Sequence, residues 1–254
     1  MTEEELTKKR LSELAARAYN NNYYTYTPFL GLAEQTILKQ AMRIDDNIKS
    51  TKVTLCGGAE GVERVVAVFG DEQSFGYPPA FPITCIKIAP LQQKFADKLT
   101  HRDFLGSLMN LGIERETIGD IIIYENTGYI FCLETMADFI TENLTRIRHT
   151  TVACRVTDEV PDIMSNAERR TIQISSERLD ACVAKAYKLS RTDAVSLIKS
   201  GRVYVNGVAC ESNSYAPKTD EMISVRGHGR FRYIGVKRRT GKGNLVVEID
   251  IYKK

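Results

Sequence analysis

The sequence predicts an α+β chain built in three parts, and three observations predict it. Between Phe81 and Thr157 the apolar periodicity runs strand, helix, strand, strand, helix, strand, the split β-α-β order of ferredoxin-like folds. From Ser175 to Gly207 two short helical patterns lead through a tight turn into a strand hairpin. The first 75 residues hold helical periods and one further hairpin. A length of 254 residues suits two or three modest domains. The expected boundaries are 1–75 for the helical and hairpin region, 76–158 for the central domain, 159–174 for a connector and 175–254 for the C-terminal domain.

Glu3 to Tyr19 reads as an amphipathic helix with Leu6, Leu11, Leu14, Ala15 and Ala18 inward. The stretch Asn20 to Pro28 is expected to break it, its tyrosines packing on the core or stacking on bases. A second helix runs from Leu30 to about Met42. Thr51–Leu55 and Glu63–Phe69 read as strands, with Gly57-Gly58 between them as a hairpin turn; the P-loop lysine is absent.

In the central part, Ile83–Ile88, Asp120–Tyr124, Tyr129–Leu133 and Thr151–Val156 are the strands, and Leu99–Leu111 and Met136–Arg146 the helices. Thr100 caps the first helix with Asp103 at its third position. His101-Arg102-Asp103 copies a kinase triplet, but the chain has no Asp-Phe-Gly and no matching glycine loop. Asp158 to Ile174 is polar and reads as an extended connector.

The C-terminal helices are expected over Glu177–Tyr187, capped by Ser175 or Ser176, and from Ser190, where Ser190-Arg191-Thr192-Asp193 is a capping box, to Gly201. Val203–Val205 and Asn206-Gly207 supply a strand and its turn. Arg178 and Arg191 oppose the helix dipole at a cost of about 0.3–1 kcal/mol each. Two readings of them are open: with helix N–H groups they hold phosphates, or they pair with Asp180 and Asp193.

Arg178-Leu179-Asp180, Ser190-Arg191-x-x-Ala194 and Ile198-x-x-Gly201-x-Val203-x-Val205-Asn206-Gly207 resemble the RNA-binding domain named after ribosomal protein S-four, the alpha-L motif. Many members carry glycine between the helices, where this chain has Tyr187-Lys188-Leu189; a stiffer loop and an added cation are expected. With the N-terminal helices and the run Leu99–Gly106 followed by Leu111-Gly112-Ile113-x-Arg115-x-x-Ile118-Gly119-Asp120, the chain is similar throughout to the YlmH family of bacterial proteins. The resemblance implies a helical N-terminal part, a central RNA-recognition-like domain and a C-terminal alpha-L domain. It also makes His101, Arg102 and Arg115 candidate secondary RNA contacts, or structural residues.

Charge supports a polyanionic partner. From Arg178 to Lys254 there are 16 Lys+Arg against 7 Asp+Glu, net +9, while the rest of the chain is net −6. The candidate RNA-binding residues are Arg178, Lys188, Arg191, Lys199, Arg202, Arg226, Gly227, Gly229, Arg230, Arg232, Lys237, Arg238 and Arg239. Gly227 and Gly229 are included because they would let backbone N–H groups approach a phosphate, the alternative being a plain β-turn. Val247, Ile249 and Ile251 are expected inward on the last strand, Glu248 and Asp250 outward.

Six scattered cysteines, without a C-x-x-C pair, read as buried thiols in a reducing compartment; no metal and no cofactor are expected. No membrane span and no secretory signal are read from the sequence, so a cytoplasmic protein is expected. Synthetase, pseudouridine-synthase and methyl-donor motifs are missing, which favours a non-enzymatic RNA binder over an RNA-modifying enzyme. The resemblance implies ribosome association, with large-subunit rRNA and tRNA as partners, quality control of stalled translation and a gene neighbourhood of cell division. A monomer is expected; a division adaptor acting through the acidic N-terminal part is the third reading.

Overall fold

The structure, a computed structural model, describes residues 2–162 and 167–252. The chain divides into two compact units, Met1–Asp162 and Ile163–Lys254. In the first unit α1 (Glu3–Asn21) opens on a capping box, Thr2 Oγ1 accepting the Glu5 amide and the Glu5 carboxylate accepting the Thr2 amide. Leu11, Ala15 and Ala18 are buried, but Leu6 is half exposed, so the inner stripe begins later than the periodicity suggests. There follow β1 (Thr25–Leu30), α2 (Leu32–Ile44), α3 (Asp46–Lys49), β2 (Val53–Cys56) and β3 (Val65–Phe69), with the sheet in the order β1-β3-β2.

Strand β1 corrects the expected break at Asn20 to Pro28. Its inward positions include two threonines that satisfy buried backbone, Thr25 Oγ1 donating to the Leu14 carbonyl and Thr27 Oγ1 accepting the Ala67 amide. Pro28 falls where the register with β3 is irregular, the place in a ladder that tolerates a missing N–H. Tyr24 packs edge-on against Phe75 and Tyr77, which is the packing reading of that tyrosine.

The same unit continues through α4 (Glu72–Phe75), β4 (Ile83–Pro90), α5 (His101–Asn110), β5 (Ile118–Tyr124), β6 (Thr127–Leu133), α6 (Ala137–Asn143), β7 (Arg146–Ile147) and β8 (Thr150–Val156). The sheet order β5-β6-β4-β8-β7, antiparallel throughout, is the ferredoxin-like topology with β7 added at one edge. Helix α6 stops at Asn143 and not at Arg146, because Ile147 is buried beside β8 and Arg148 turns the chain at φ 54°. Ile86, Ile88, Ile130, Phe104, Leu108 and Ile140 share one core. The Gly57-Gly58 stretch does connect β2 to β3, yet it also lies on this sheet. Gly58 has φ +93°, and a Cβ there would stand 2.5 Å from the Phe131 ring.

The second unit holds β9 (Ala167–Ile174), α7 (Leu179–Tyr187), α8 (Arg191–Lys199), β10 (Val203–Val205), β11 (Val208–Ala209), β12 (Met222–Val225), β13 (Gly229–Arg239) and β14 (Leu245–Tyr252). They form one sheet in the order β11-β10-β12-β13-β14-β9, with α7 and α8 contributing Leu179, Val183, Ala194 and Ile198 to the core. Strand β9 corrects the expected connector at 159–174, of which residues 163–166 lie outside the described residues. All eight residues of β9 pair with β14, burying Ile172 and Ile174, while Arg169 answers Asp250 on the outer face. An edge strand with one wet face carries polar residues at alternate positions, and Glu168-Arg169-Arg170-Thr171 therefore resembles a linker.

Candidate nucleic-acid interface

Helix α7 begins differently from the sequence expectation. Neither Ser175 nor Ser176 caps it; Arg178 is the extended N-cap residue, and its side chain makes no cap bond. The first amides are answered by a loop of the same unit, Leu179 N–H donating to the Tyr215 carbonyl at 2.7 Å and Asp180 N–H to the Asn213 carbonyl at 3.3 Å. These carbonyls occupy the place where a phosphate would sit, so this helix start is not the open anion site expected. At α8 the Ser190 hydroxyl accepts the Asp193 amide at 3.0 Å, as the capping motif requires.

Both open readings of the arginines then meet at one carboxylate. Asp180 is 1% exposed. Arg178 holds it with a two-point fork, Nε to Oδ1 at 3.1 Å and Nη2 to Oδ2 at 3.0 Å, and Arg191 approaches the same oxygens at 3.3 to 3.5 Å. Burial alone would raise the Asp180 carboxyl, but the hydrogen bonds and charges of Arg178 and Arg191 outweigh it and hold it below its ordinary value. The guanidiniums themselves stay open to solvent, 34% exposed at Arg178 and 51% at Arg191. Asp193 instead bonds Ser190. Asp180 thus aims two cations outward from a fixed root.

The other candidates do not form a single cluster. Lys188 is exposed at φ 54°, the left-handed position that glycine fills in related loops, with its amide and that of Leu189 both directed at the Ala184 carbonyl. Lys199 is the last residue of α8 and Arg202 lies three residues beyond it, joining the β12–β13 turn through Arg226, Nη2 to the Arg226 carbonyl at 3.3 Å and its own carbonyl to the Arg226 amide at 2.9 Å. That turn is a β-turn, closed by the His228 amide on the Val225 carbonyl. Gly227 is exposed on it. Gly229 is buried beside Tyr187 and the Tyr252 backbone at φ +125°, a conformation that favours glycine.

Arg230 and Arg232 project from β13 opposite the buried Phe231 and Tyr233; the Arg230 guanidinium lies 5.5 Å from the Tyr252 ring centre. Lys237, Arg238 and Arg239 occupy the far end of the same strand and not its turn, with Lys237 bound to Glu248 at 2.6 Å. At about 3.4 Å per residue, the two ends of β13 stand roughly 30 Å apart. The outward Glu248 and Asp250 and inward Val247, Ile249 and Ile251 are as the alternation predicts.

In the first unit Arg115 takes a structural position. Its Nη1 donates to the Ile118 carbonyl at 2.5 Å and the Gly119 carbonyl at 3.2 Å, and burial beside Arg64 lowers its pKa to about 10, which leaves it charged at neutral pH. Arg64 donates to the carbonyls of Ile118, Phe29 and Arg115, at 2.9, 2.8 and 3.2 Å. His101 and Arg102 are exposed on the first turn of α5, behind a Thr100–Asp103 capping box. Sequence reasoning passed over Arg64, because an arginine between a turn and a strand carries no signal of the carbonyls it will meet.

Among the described residues no group of histidine, cysteine and carboxylate side chains is placed to hold a metal ion, and no helix is long and apolar enough to cross a membrane. Burial raises the thiols of Cys85, Cys132 and Cys182 to about 12 and that of Cys154 to about 11, the values of packed and unreactive groups.

Comparison with known proteins agrees with this division. Residues 79–161 match the family described as "Putative RNA-binding domain in YlmH", and residues 177–223 match the S4 domain. "Ribosome-associated protein quality control protein P2" of Bacillus subtilis (strain 168) is 30% identical over 234 residues, covering 89% of this chain and 87% of the relative. The solved structure of "Cell division protein ylmH from Streptococcus pneumoniae" aligns at 22% identity with a TM-score of 0.49, over 62% of this chain and 92% of that one.

Proposed function

Because the chain belongs to the YlmH family, we propose that it is a non-enzymatic, cytoplasmic RNA-binding protein that associates with the ribosome, on large-subunit rRNA and tRNA, in the quality control of stalled translation. The observation that carries the RNA contact is the Asp180 root with its two outward arginines. Two guanidiniums preset by one buried carboxylate present their remaining N–H donors to phosphate without first having to be ordered. Lys188, Lys199, Arg202, Arg226 and Gly227 extend the footprint around the helices and the β12–β13 turn, and Arg230, Arg232, Lys237, Arg238 and Arg239 supply a second approach along β13. Phosphate contacts of this kind give affinity, and the fixed geometry selects a folded RNA.

The ribosome and quality control enter from the name of the Bacillus relative. The matched domains are both RNA-binding, which supports a role without catalysis. The test is sedimentation of the purified protein with ribosomal subunits, intact ribosomes carrying tRNA, and tRNA alone, at low and moderate salt. We expect co-sedimentation with the large subunit that weakens steeply with salt. A variant with Arg178→Gln, Arg191→Gln and Asp180→Asn, which leaves no carboxylate buried alone, should lower the slope of log affinity against log salt by about 2. A folded variant that binds as well as wild type sinks the assignment. Binding to none of the ribosomal species would point to an RNA-modifying or protein-adaptor role.

A further inference from the structure

Resting on the reading of the chain as an RNA binder, we propose a second contact surface for an unpaired RNA strand, at the loop end of the ferredoxin-like domain around Phe95. Three loops are tied together there. Asp97, between β4 and α5, accepts the His149 amide at 3.1 Å, and its own amide donates to Thr150 Oγ1 at 2.8 Å. Asn126, in the β5–β6 turn, donates to the Asp97 carbonyl at 2.9 Å and accepts the Leu99 amide at 2.8 Å. Arg148, in the β7–β8 turn, reaches Asp103 of α5 at 3.8 Å.

These bonds hold a set of exposed cations at one end of the domain: Lys94, Lys98, Arg102 and Arg148, with His101 and His149 among them. The concentration runs against local composition, since residues 1–177 are net −6. Phe95 stands in the same loop at 78% exposure, the highest of any large hydrophobic side chain among the described residues, and the Lys94 ammonium lies 5.8 Å from its ring centre. Leu91, 63% exposed, begins the loop.

Neither Phe95 nor Leu91 belongs to the core cluster of this domain, so neither is needed to fill it. An exposed aromatic face with the Lys94 ammonium beside it is suited to stack one base, while Lys98, Arg102 and Arg148 at the same end, set against Asp97, Asp103 and Glu125, supply phosphate contacts. A duplex keeps its base faces stacked, so the strand must be unpaired. An acidic protein surface would match the cations but leave the ring without a flat partner.

The test compares two fluorescently labelled RNAs on the full-length protein, a blunt hairpin and the same hairpin with an unpaired tail of about eight nucleotides. Wild type should bind the tailed RNA at least about fivefold more tightly, from one stacked base. Phe95→Ala with Arg102→Ala, both solvent-facing changes, should abolish that advantage, and Phe95→Ala alone should remove most of it while leaving blunt-hairpin affinity unchanged. Equal affinities in wild type, or an advantage that survives in the variant, overturn the proposal. So does a variant that keeps the tail advantage but loses binding to poly-L-glutamate, which assigns the surface to an acidic protein. The Arg178, Arg191 and Asp180 triple variant should weaken both RNAs by the same factor. If it weakens neither, the proposed function fails at that site while the tail comparison still decides this one.

Discussion

Two pairs of arginines in this molecule have opposite fates. Arg64 and Arg115 in the first unit direct their donors to backbone carbonyls and hold a junction together. Arg178 and Arg191 in the second share one buried carboxylate and keep a third to a half of their side-chain surface in water. The difference lies in the acceptor. A row of carbonyls engages the fork from several sides and leaves it half-buried, whereas one carboxylate fixes the fork from one edge and leaves the other edge outward. Position in a basic loop does not decide what an arginine is for.

Three substitutions bear on that contrast. The largest effect is expected from Arg64→Ala, which strands the carbonyls of Phe29, Ile118 and Arg115 and should cost about 3 kcal/mol in denaturant unfolding of the first unit. Hairpin RNA affinity of the folded protein should not change; a stable variant with weakened RNA binding would break the comparison.

Asp180→Asn comes next, at about 2 kcal/mol near pH 7, because it keeps the shape but leaves two guanidiniums without their anion. The pH dependence has a definite sign. The folded carboxyl lies below its ordinary value of 3.8, so its contribution is complete above that pH and disappears as pH falls through the lower folded value. Wild type and variant should therefore converge in stability only once the pH has fallen below that lowered folded value. A gap that persists in acid would mean that packing, not charge, holds the site.

The smallest effect is expected at Lys188. A lysine at φ 54° carries left-handed strain, and Lys188→Gly should raise thermal stability by up to about 1 kcal/mol while reducing RNA affinity slightly. Loss of stability instead would show that the Lys188 side chain packs in a way its exposure conceals.

Much of this architecture was readable from residue pattern. The strand-helix order of the central domain shows because its strands are short, nearly continuous apolar runs and its first helix begins at a recognisable cap, Thr100 with Asp103. The hairpin at Asn206-Gly207 shows for the same reason, since both residues take positive φ. Strand β9 stayed hidden because an edge strand with a wet face reads as polar linker. The candidate interface was only half legible. Arg178, Arg191 and Asp180 were visible as types, but whether phosphate or Asp180 receives the forks depends on a loop more than thirty residues away, at Asn213 and Tyr215, that closes the start of α7. Arg115 and Gly229 were ambiguous for one reason: a donor and a bare backbone look alike in sequence whether they face solvent or a neighbour's carbonyl or ring.

Strand β13 also acts as a caliper. Its cationic ends, Arg230 with the Arg226 turn and Lys237 to Arg239, are separated by roughly 30 Å of hydrogen-bonded sheet, so no single phosphate can satisfy both. A partner long enough to bridge them makes its second contact at a high effective concentration, and the two weak attachments multiply. An oligonucleotide shorter than that span meets only one jaw. If β13 makes the RNA contact proposed for it, length of RNA, as much as its sequence, sets how tightly the protein holds on.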